Sequence, residues 1–314
     1  MAKFLVTGGA GFIGCNLVRY LLGKGHEVVV LDDFSTGKRE NLAGVTGAMR
    51  LVEGDIRDRS AVDACVAGCA AIFHEAALGS VPRSVAEPVL SHDVNVNGTI
   101  TVLEAARAAG VKRVIFAASS SAYGDQKQSP KHEGMVPMPI SPYASGKVAC
   151  EMYLRAYAAV YGMETLCLRY FNVFGPHQDP MGAYAAVIPA FVSRLLRGQS
   201  PAVYGDGEQS RDFCYVDNVC EANYQAATAA ASVCDGRALN IACCQATSLN
   251  QILAILRDLL DTDVRAVYEP PRAGDVKDSL AAIDAARETI GYQPKVFFRD
   301  GLTRAIGWYR ENLG

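Results

Sequence analysis

Residues 4–17 read FLVTGGAGFIGCNL. An apolar, partly β-branched run stops at a glycine-rich turn, and a helix-period pattern begins on the far side of it. Gly8, Gly11 and Gly14 stand at GxxGxxG spacing. Each glycine meets a separate need: a tight turn, close backbone approach to a pyrophosphate, and close helix–strand packing. The helix that follows directs its free amides and the positive end of its dipole at bound phosphate. A glycine-rich turn alone is weak, but here it occupies the first β–α junction of the chain.

The same texture continues outward. Apolar runs at KFLVT, EVVVLD, RLVEGD, AIFHEA, RVIFAAS and TLCLRY read as strands, with helices predicted between them, notably over 12–23, 93–109 and 144–161. Nearly continuous apolar strands alternating with helices predict an α/β fold, a doubly wound parallel sheet of Rossmann type covered on both faces. Beyond residue 175 loop-like stretches rich in Gly, Pro and polar residues take over, with helices predicted near 184–197, 216–230, 249–260, 283–290 and 300–312. The expected division is a dinucleotide-binding domain over 1–174 and a smaller mixed α/β lobe over 175–314. ALNIA, 238–242, is read as a strand returning to the first sheet.

The EVVVLD strand ends on Asp32 and Asp33. An acidic group there accepts hydrogen bonds from adenosine ribose hydroxyls and repels a 2′-phosphate, which favours NAD over NADP; Lys38 and Arg39 are the opposing feature. Asp55, after the third strand, is placed to reach the adenine amino group. Ala76 and Ala77 are small enough to let a cofactor lie along the strand ends. His74 reads as a packed, hydrogen-bonded residue.

The chain has 314 residues, half of them hydrophobic and 20% charged, with net charge −3. That balance suits a globular protein and lacks the basic footprint of a nucleic-acid binder. No apolar stretch is long enough to span a bilayer, and MAKFLVTGG leads directly into a strand, so a cytoplasmic protein with no membrane partner is expected. The 10 cysteines are scattered without CxxC or ligand-spaced histidines. They read as reduced thiols, with no metal site expected.

SPYASGK, residues 141–147, places Tyr143 and Lys147 one helical turn apart on one face, with Pro142 suited to the first turn. An ammonium beside a phenol favours its phenolate, so such a pair suits a general base. FAASSSAYG closes the fifth strand with hydroxyls at the carboxyl edge of the sheet, where doubly wound folds bind ligands.

Together the GxxGxxG turn, the serine-rich strand end, the YxxxK pair and LRYFNVFGP resemble the extended short-chain dehydrogenase/reductase superfamily, and within it the nucleotide-sugar 4-epimerases of the UDP-glucose and UDP-N-acetylglucosamine type. The resemblance runs along nearly the whole chain. It implies a resident NAD and C4 epimerisation of a UDP-hexose through a transient 4-keto sugar. Tyr143 is then the base, Lys147 its partner and a ribose ligand, and Ser119, four positions before Tyr123, the catalytic hydroxyl. It further implies cofactor contacts at Phe12, Ile13, Ser35, Thr36, Gly37, Ile56, Asn95 and Tyr170. Substrate contacts are implied at Ser80, Arg83, Ser120, Ser121, Asn172, Ala186, Val187, Tyr204, Arg211, Arg272, Asp275 and Ser279. Arg211 and Arg272 match arginines that clamp the diphosphate, and Asp275 matches an acid on the uridine ribose. A homodimer is implied as well.

Two positions bear on reaction and substrate. Related dehydratases carry carboxylates just after the catalytic hydroxyl, because eliminating water needs an acid and a base there; this chain has Ser120 and Ser121. Where glucose-specific relatives carry a large tyrosine, it has Ser279, which leaves room for a 2-acetamido group. UDP-N-acetylglucosamine/UDP-N-acetylgalactosamine interconversion is therefore expected, with UDP-glucose/UDP-galactose activity beside it. The rivals are a UDP-glucuronate 4-epimerase, in which Arg83 pairs with the sugar carboxylate, and a non-catalytic NAD-binding regulator on the same scaffold.

Overall fold

The computed structural model describes residues 1–179, 187–271 and 278–313. Seven parallel strands form its central sheet: β1 (Lys3–Thr7), β2 (Glu27–Asp32), β3 (Met49–Glu53), β4 (Ala71–His74), β5 (Arg113–Ser119), β6 (Glu164–Tyr170) and β7 (Asp235–Ile241). Their order is β7-β6-β5-β4-β1-β2-β3. The direction of winding reverses between β1 and β4, which leaves a crevice at the carboxyl ends of those strands. Register aligns the ends: Thr7 pairs with both Leu31 and His74, and Ser119 pairs with Tyr170.

Alternation along each strand divides the core between the two faces of the sheet. Phe4, Val6, Val28, Val30, Phe73, Ile115 and Leu168 share one apolar cluster. Leu5, Val29, Leu31, Ile72, Val114, Phe116 and Cys167 belong to the other. Strands buried on both sides need apolar residues at every position, which is why EVVVLD and RVIFAAS read as continuous runs. Helices Phe12–Gly23 and Val216–Thr228 pack together on the first face. Helices Arg59–Val66, Gly98–Ala108 and Pro142–Tyr161 cover the second.

The helix Pro142–Tyr161 is the one that matters most for the site. Ser141 caps it by accepting from the Ala144 amide, Pro142 fills its first turn, and Gly162 ends it at φ 65°. Glu151 on this helix and Arg169 on β6 form a bidentate pair at 2.8 and 2.7 Å, both side chains buried. Breaking such a pair by removing one partner costs about 3–5 kcal/mol, so it fixes the helix against the sheet.

After β6 the chain builds short strands that leave the sheet. Ser210–Asp212 lies between Ala246–Ser248, antiparallel, and Asp278–Ser279, parallel. Ala202–Tyr204 pairs with Val267–Glu269. Between these pieces the chain returns to the central sheet, where β7 pairs with β6. The buried Asp212 carboxylate ties the region together by accepting from the Cys243 and Ala281 amides. Among the described residues every cysteine is a free thiol, and no helix is long and apolar enough to cross a membrane.

Candidate active site

A cavity of about 780 Å³ opens along the carboxyl edge of the sheet. Its size is that of a dinucleotide or drug-sized ligand site. One end is built by the glycine turn. Gly8 has φ +68°, and a Cβ on it would sit 2.7 Å from the Ala76 backbone. A Cβ on Gly14 would lie 2.1 Å from the Gly8 carbonyl oxygen, so the turn closes only without side chains. Gly11 precedes the helix Phe12–Gly23 with extended backbone and no side-chain cap. The amides of that first turn are therefore left for a ligand, and Gly11, Phe12, Ile13 and Gly14 all line the cavity.

Asp32, 6% exposed, stands beside the turn. It accepts from the Ala10 and Phe34 amides, each at 2.8 Å, one on each oxygen. Burial raises its pKa, and these two amides counter the shift. Each oxygen keeps a lone pair for a ribose hydroxyl. Asp33, Ser35, Thr36 and Ile56 also line this end, as do Ala76 and Ala77 across the crevice. An uncapped helix start, a cradle that any Cβ would fill, and a carboxylate at the end of β2 are the donor and acceptor set that a non-phosphorylated dinucleotide needs.

The other end is formed by Tyr143, Lys147, Ala117, Ala118, Tyr170 and Glu75. Lys147 is 3% exposed, and its ammonium donates to the Ala117 carbonyl at 2.6 Å. It sits 4.6 Å from the Phe116 ring centroid and 5.9 Å from that of Tyr143. The Tyr143 amide donates to Ser84 Oγ at 3.0 Å, so the helix start is held by the SVPRS segment. Ser119 ends β5 just beyond the cavity-lining alanines, and its Oγ accepts from the Ser121 amide at 3.2 Å and bonds to Ser121 Oγ at 2.8 Å. Ser120 and Ser121 continue in a short 3₁₀ turn, Ser120–Tyr123. No carboxylate occupies those positions.

His74 is buried between two threonines, with Nδ1 2.7 Å from Thr7 Oγ1 and Nε2 2.9 Å from Thr99 Oγ1. Burial lowers its pKa to about 3, so it is a neutral packing residue. Other expected site residues lie off the cavity wall. Asn95 is buried and clamps Leu78, accepting from its amide at 2.8 Å. Gly37 packs against the Asp32 carboxylate. Asp55 is engaged by the Arg57 guanidinium, which holds its carboxyl below the usual range. Arg83 pairs with Glu87 at 2.9 Å, while Ser80 lines the cavity.

The residues assigned to a nucleotide sugar are less gathered. Ser279 and Arg211 are register partners on adjacent short strands. Asn172, at φ 32°, donates to the Asp212 carbonyl at 3.1 Å. Val187 opens the helix Val187–Leu196, and Tyr204 ends a short strand. Ala186, Arg272 and Asp275 lie outside the described residues.

Sequence reasoning missed part of the wall. Trp308, on the last helix, lines the cavity and meets His177 ring to ring at 5.2 Å. Gln178 and Asp179 close the same side, with Asp179 3.1 Å from Lys38. Glu75, between His74 and Ala76, is a further wall residue.

Comparison with known proteins places this geometry. The NAD dependent epimerase/dehydratase family matches residues 4–242. UDP-glucose 4-epimerase of Mycolicibacterium smegmatis is 39% identical over 317 residues, covering 98% of each chain. Among solved structures, UDP-N-acetylglucosamine 4-epimerase from Methanobrevibacter ruminantium in complex with UDP-N-acetylmuramic acid is 37% identical with a TM-score of 0.93, over 99% of this chain and 98% of that one. UDP-glucose 4-epimerase of Thermus thermophilus in complex with NAD is 34% identical with a TM-score of 0.88, over 99% of each.

Proposed function

The chain belongs to the NAD dependent epimerase/dehydratase family, and from that membership and the cavity we propose that it inverts C4 of UDP-hexoses, with UDP-N-acetylglucosamine and UDP-N-acetylgalactosamine as its preferred pair. UDP-glucose and UDP-galactose are the secondary pair. NAD, when bound, supplies the hydride acceptor and donor. Gly8, Gly11 and Gly14 seat the pyrophosphate, Asp32 the adenosine ribose, and Lys147 the second ribose.

The observation that carries the reading is the pairing of Tyr143 with a buried, fixed Lys147 on one cavity wall. Tyr143 withdraws the proton of the sugar hydroxyl and later returns one, with the Lys147 ammonium held on the same wall. Ser119 holds the same hydroxyl in line. With serine at 120 and 121, nothing beside it acts as the acid or base of an elimination. Arg211 and Arg272 neutralise the diphosphate, Asp275 meets the uridine ribose, and Asn172, Ala186, Val187 and Tyr204 complete the nucleotide site. Ser279 leaves space beside C2. A homodimer is the assembly assigned, its mate placed against the helices Gly98–Ala108 and Pro142–Tyr161, the second of which leaves Met152 and Tyr153 exposed.

Coupled assays on UDP-N-acetylglucosamine, UDP-glucose and UDP-glucuronate test the assignment. The acetamido sugar is expected to have the highest kcat/KM, and turnover of the uronate alone would replace the proposal with its nearest rival. Tyr143→Phe should retain the dinucleotide and lose about 10³-fold in kcat; an unchanged rate would remove Tyr143 from its role.

A further inference from the structure

At the Tyr143 end of the cavity one acidic side chain faces inward among the described lining residues, and the proposed chemistry makes no use of it. Glu75 follows β4 directly, and its amide donates to the Thr7 carbonyl at 3.2 Å. His74 takes the face toward Thr99, so alternation sends Glu75 to the opposite face, toward β6. There the Tyr170 hydroxyl donates to Glu75 Oε1 at 2.7 Å and accepts from Asn223 Nδ2 at 2.7 Å. The Lys147 ammonium acts on the same carboxyl from the helix Pro142–Tyr161. Cys220 faces it from the helix Val216–Thr228. Burial pushes the Tyr170 and Cys220 pKa values well up, so both stay neutral and Tyr170 stays a donor. Lys147 and Glu75 are then the two charges at this end.

We propose that Glu75 sets the redox preference of the cofactor site: its carboxylate, on the wall between Lys147 and Tyr170, favours the positively charged oxidised nicotinamide over the neutral reduced one. The placement rests on the dinucleotide reading of the cavity. Its purpose rests on the proposed epimerisation, in which net redox is zero and a protein holding the reduced form idles. A residue supplying negative charge where the ring charge appears and disappears opposes that state.

Burial raises the Glu75 pKa to about 7, while the Tyr170 hydroxyl and Lys147 act to lower it. Below that pH the group is neutral and the preference fades; above it the carboxylate is formed and the preference is full. A bound cation lowers the same pKa, so the oxidised form binds with proton release.

The test uses holoprotein dialysed against a fixed ratio of free NAD⁺ to NADH at pH 6, 7 and 8, with the bound ratio read by extraction. For the natural protein the bound fraction of NAD⁺ should exceed the free fraction increasingly as pH rises. Glu75→Gln, which keeps an acceptor for Tyr170, should cut the preference about tenfold at pH 8 and flatten the slope. Glu75→Asp should retain the preference. An unaltered ratio and slope in Glu75→Gln would overturn the inference alone. A natural protein that retains neither form would overturn it together with the dinucleotide reading. The expected slope in a protein inert toward UDP-sugars would support it and end the epimerase assignment.

Discussion

The end of the cavity assigned to a dinucleotide and the region assigned to a nucleotide sugar are built in opposite ways. The first is made of backbone: three glycines, an uncapped helix start and two alanines, seated on a sheet buried on both faces. The second is made of side chains on strands of two or three residues, such as Arg211 and Ser279. A backbone site has little room for substitution and accepts one kind of ligand. A side-chain site on short strands can change its ligand one residue at a time while the scaffold stays folded.

The sharpest way to break that contrast is Gly14→Ala. The added Cβ would meet the Gly8 carbonyl oxygen at 2.1 Å and the Gly9 Cα at 2.8 Å, and neither is the movable end of a side chain. The turn must open, at a cost of about 2–4 kcal/mol. Cofactor retention on purification should fall at least tenfold and the urea midpoint should drop. A variant with full cofactor content and unchanged stability would mean that the turn is not the close-packed element described.

Ser279→Tyr probes the other region and should move neither quantity. Filling the space assigned to the acetamido group should lower kcat/KM for UDP-N-acetylglucosamine relative to UDP-glucose by about 10–200-fold, or 1–3 kcal/mol. The comparison is sharpened if the ratio changes while bound cofactor and thermal midpoint stay within error. An unchanged ratio would detach Ser279 from the sugar.

The same contrast explains what was legible. Gly8, Gly11, Gly14 and the β1–turn–helix unit follow from steric needs confined to a few consecutive residues, and Tyr143 and Lys147 from the pitch of one helix. His74 is a packed histidine, held by Thr7 and Thr99. Asp55 shows the limit: its place after β3 suggests adenine, and nothing in that place announces that Arg57, two residues on, donates to both its oxygens. Asn95, which the resemblance implies as a cofactor contact, bonds through its amide to the Leu78 backbone, a partner that no local pattern shows. Trp308 reaches the cavity from the last helix, a contact that no local pattern encodes. Glu75 was readable in principle, since period-2 alternation from His74 directs it inward, but the value of that position lies in its partner Tyr170, 95 residues away.

Ser84 belongs to neither region but holds the helix that carries Tyr143, and its loss is the smallest effect worth measuring. It lies in the segment that begins with the cavity-lining Ser80, is 1% exposed, donates to the Val81 carbonyl at 2.6 Å, and accepts from the Tyr143 amide at 3.0 Å. The first amides of a helix have no intrahelical acceptor. Ser141 takes that of Ala144, and Ser84 takes that of Tyr143 from a segment 59 positions away. Ser84→Ala leaves that amide without its acceptor and frees the start of the helix, at a cost of about 1 kcal/mol. The side chain that depends on this position is the proposed base, so kcat should fall about three- to tenfold while cofactor content stays full. Ser84→Thr, which restores the hydroxyl, should recover part of the loss. An equal fall in cofactor content would instead place Ser84 with the glycine turn and not as a support of Tyr143.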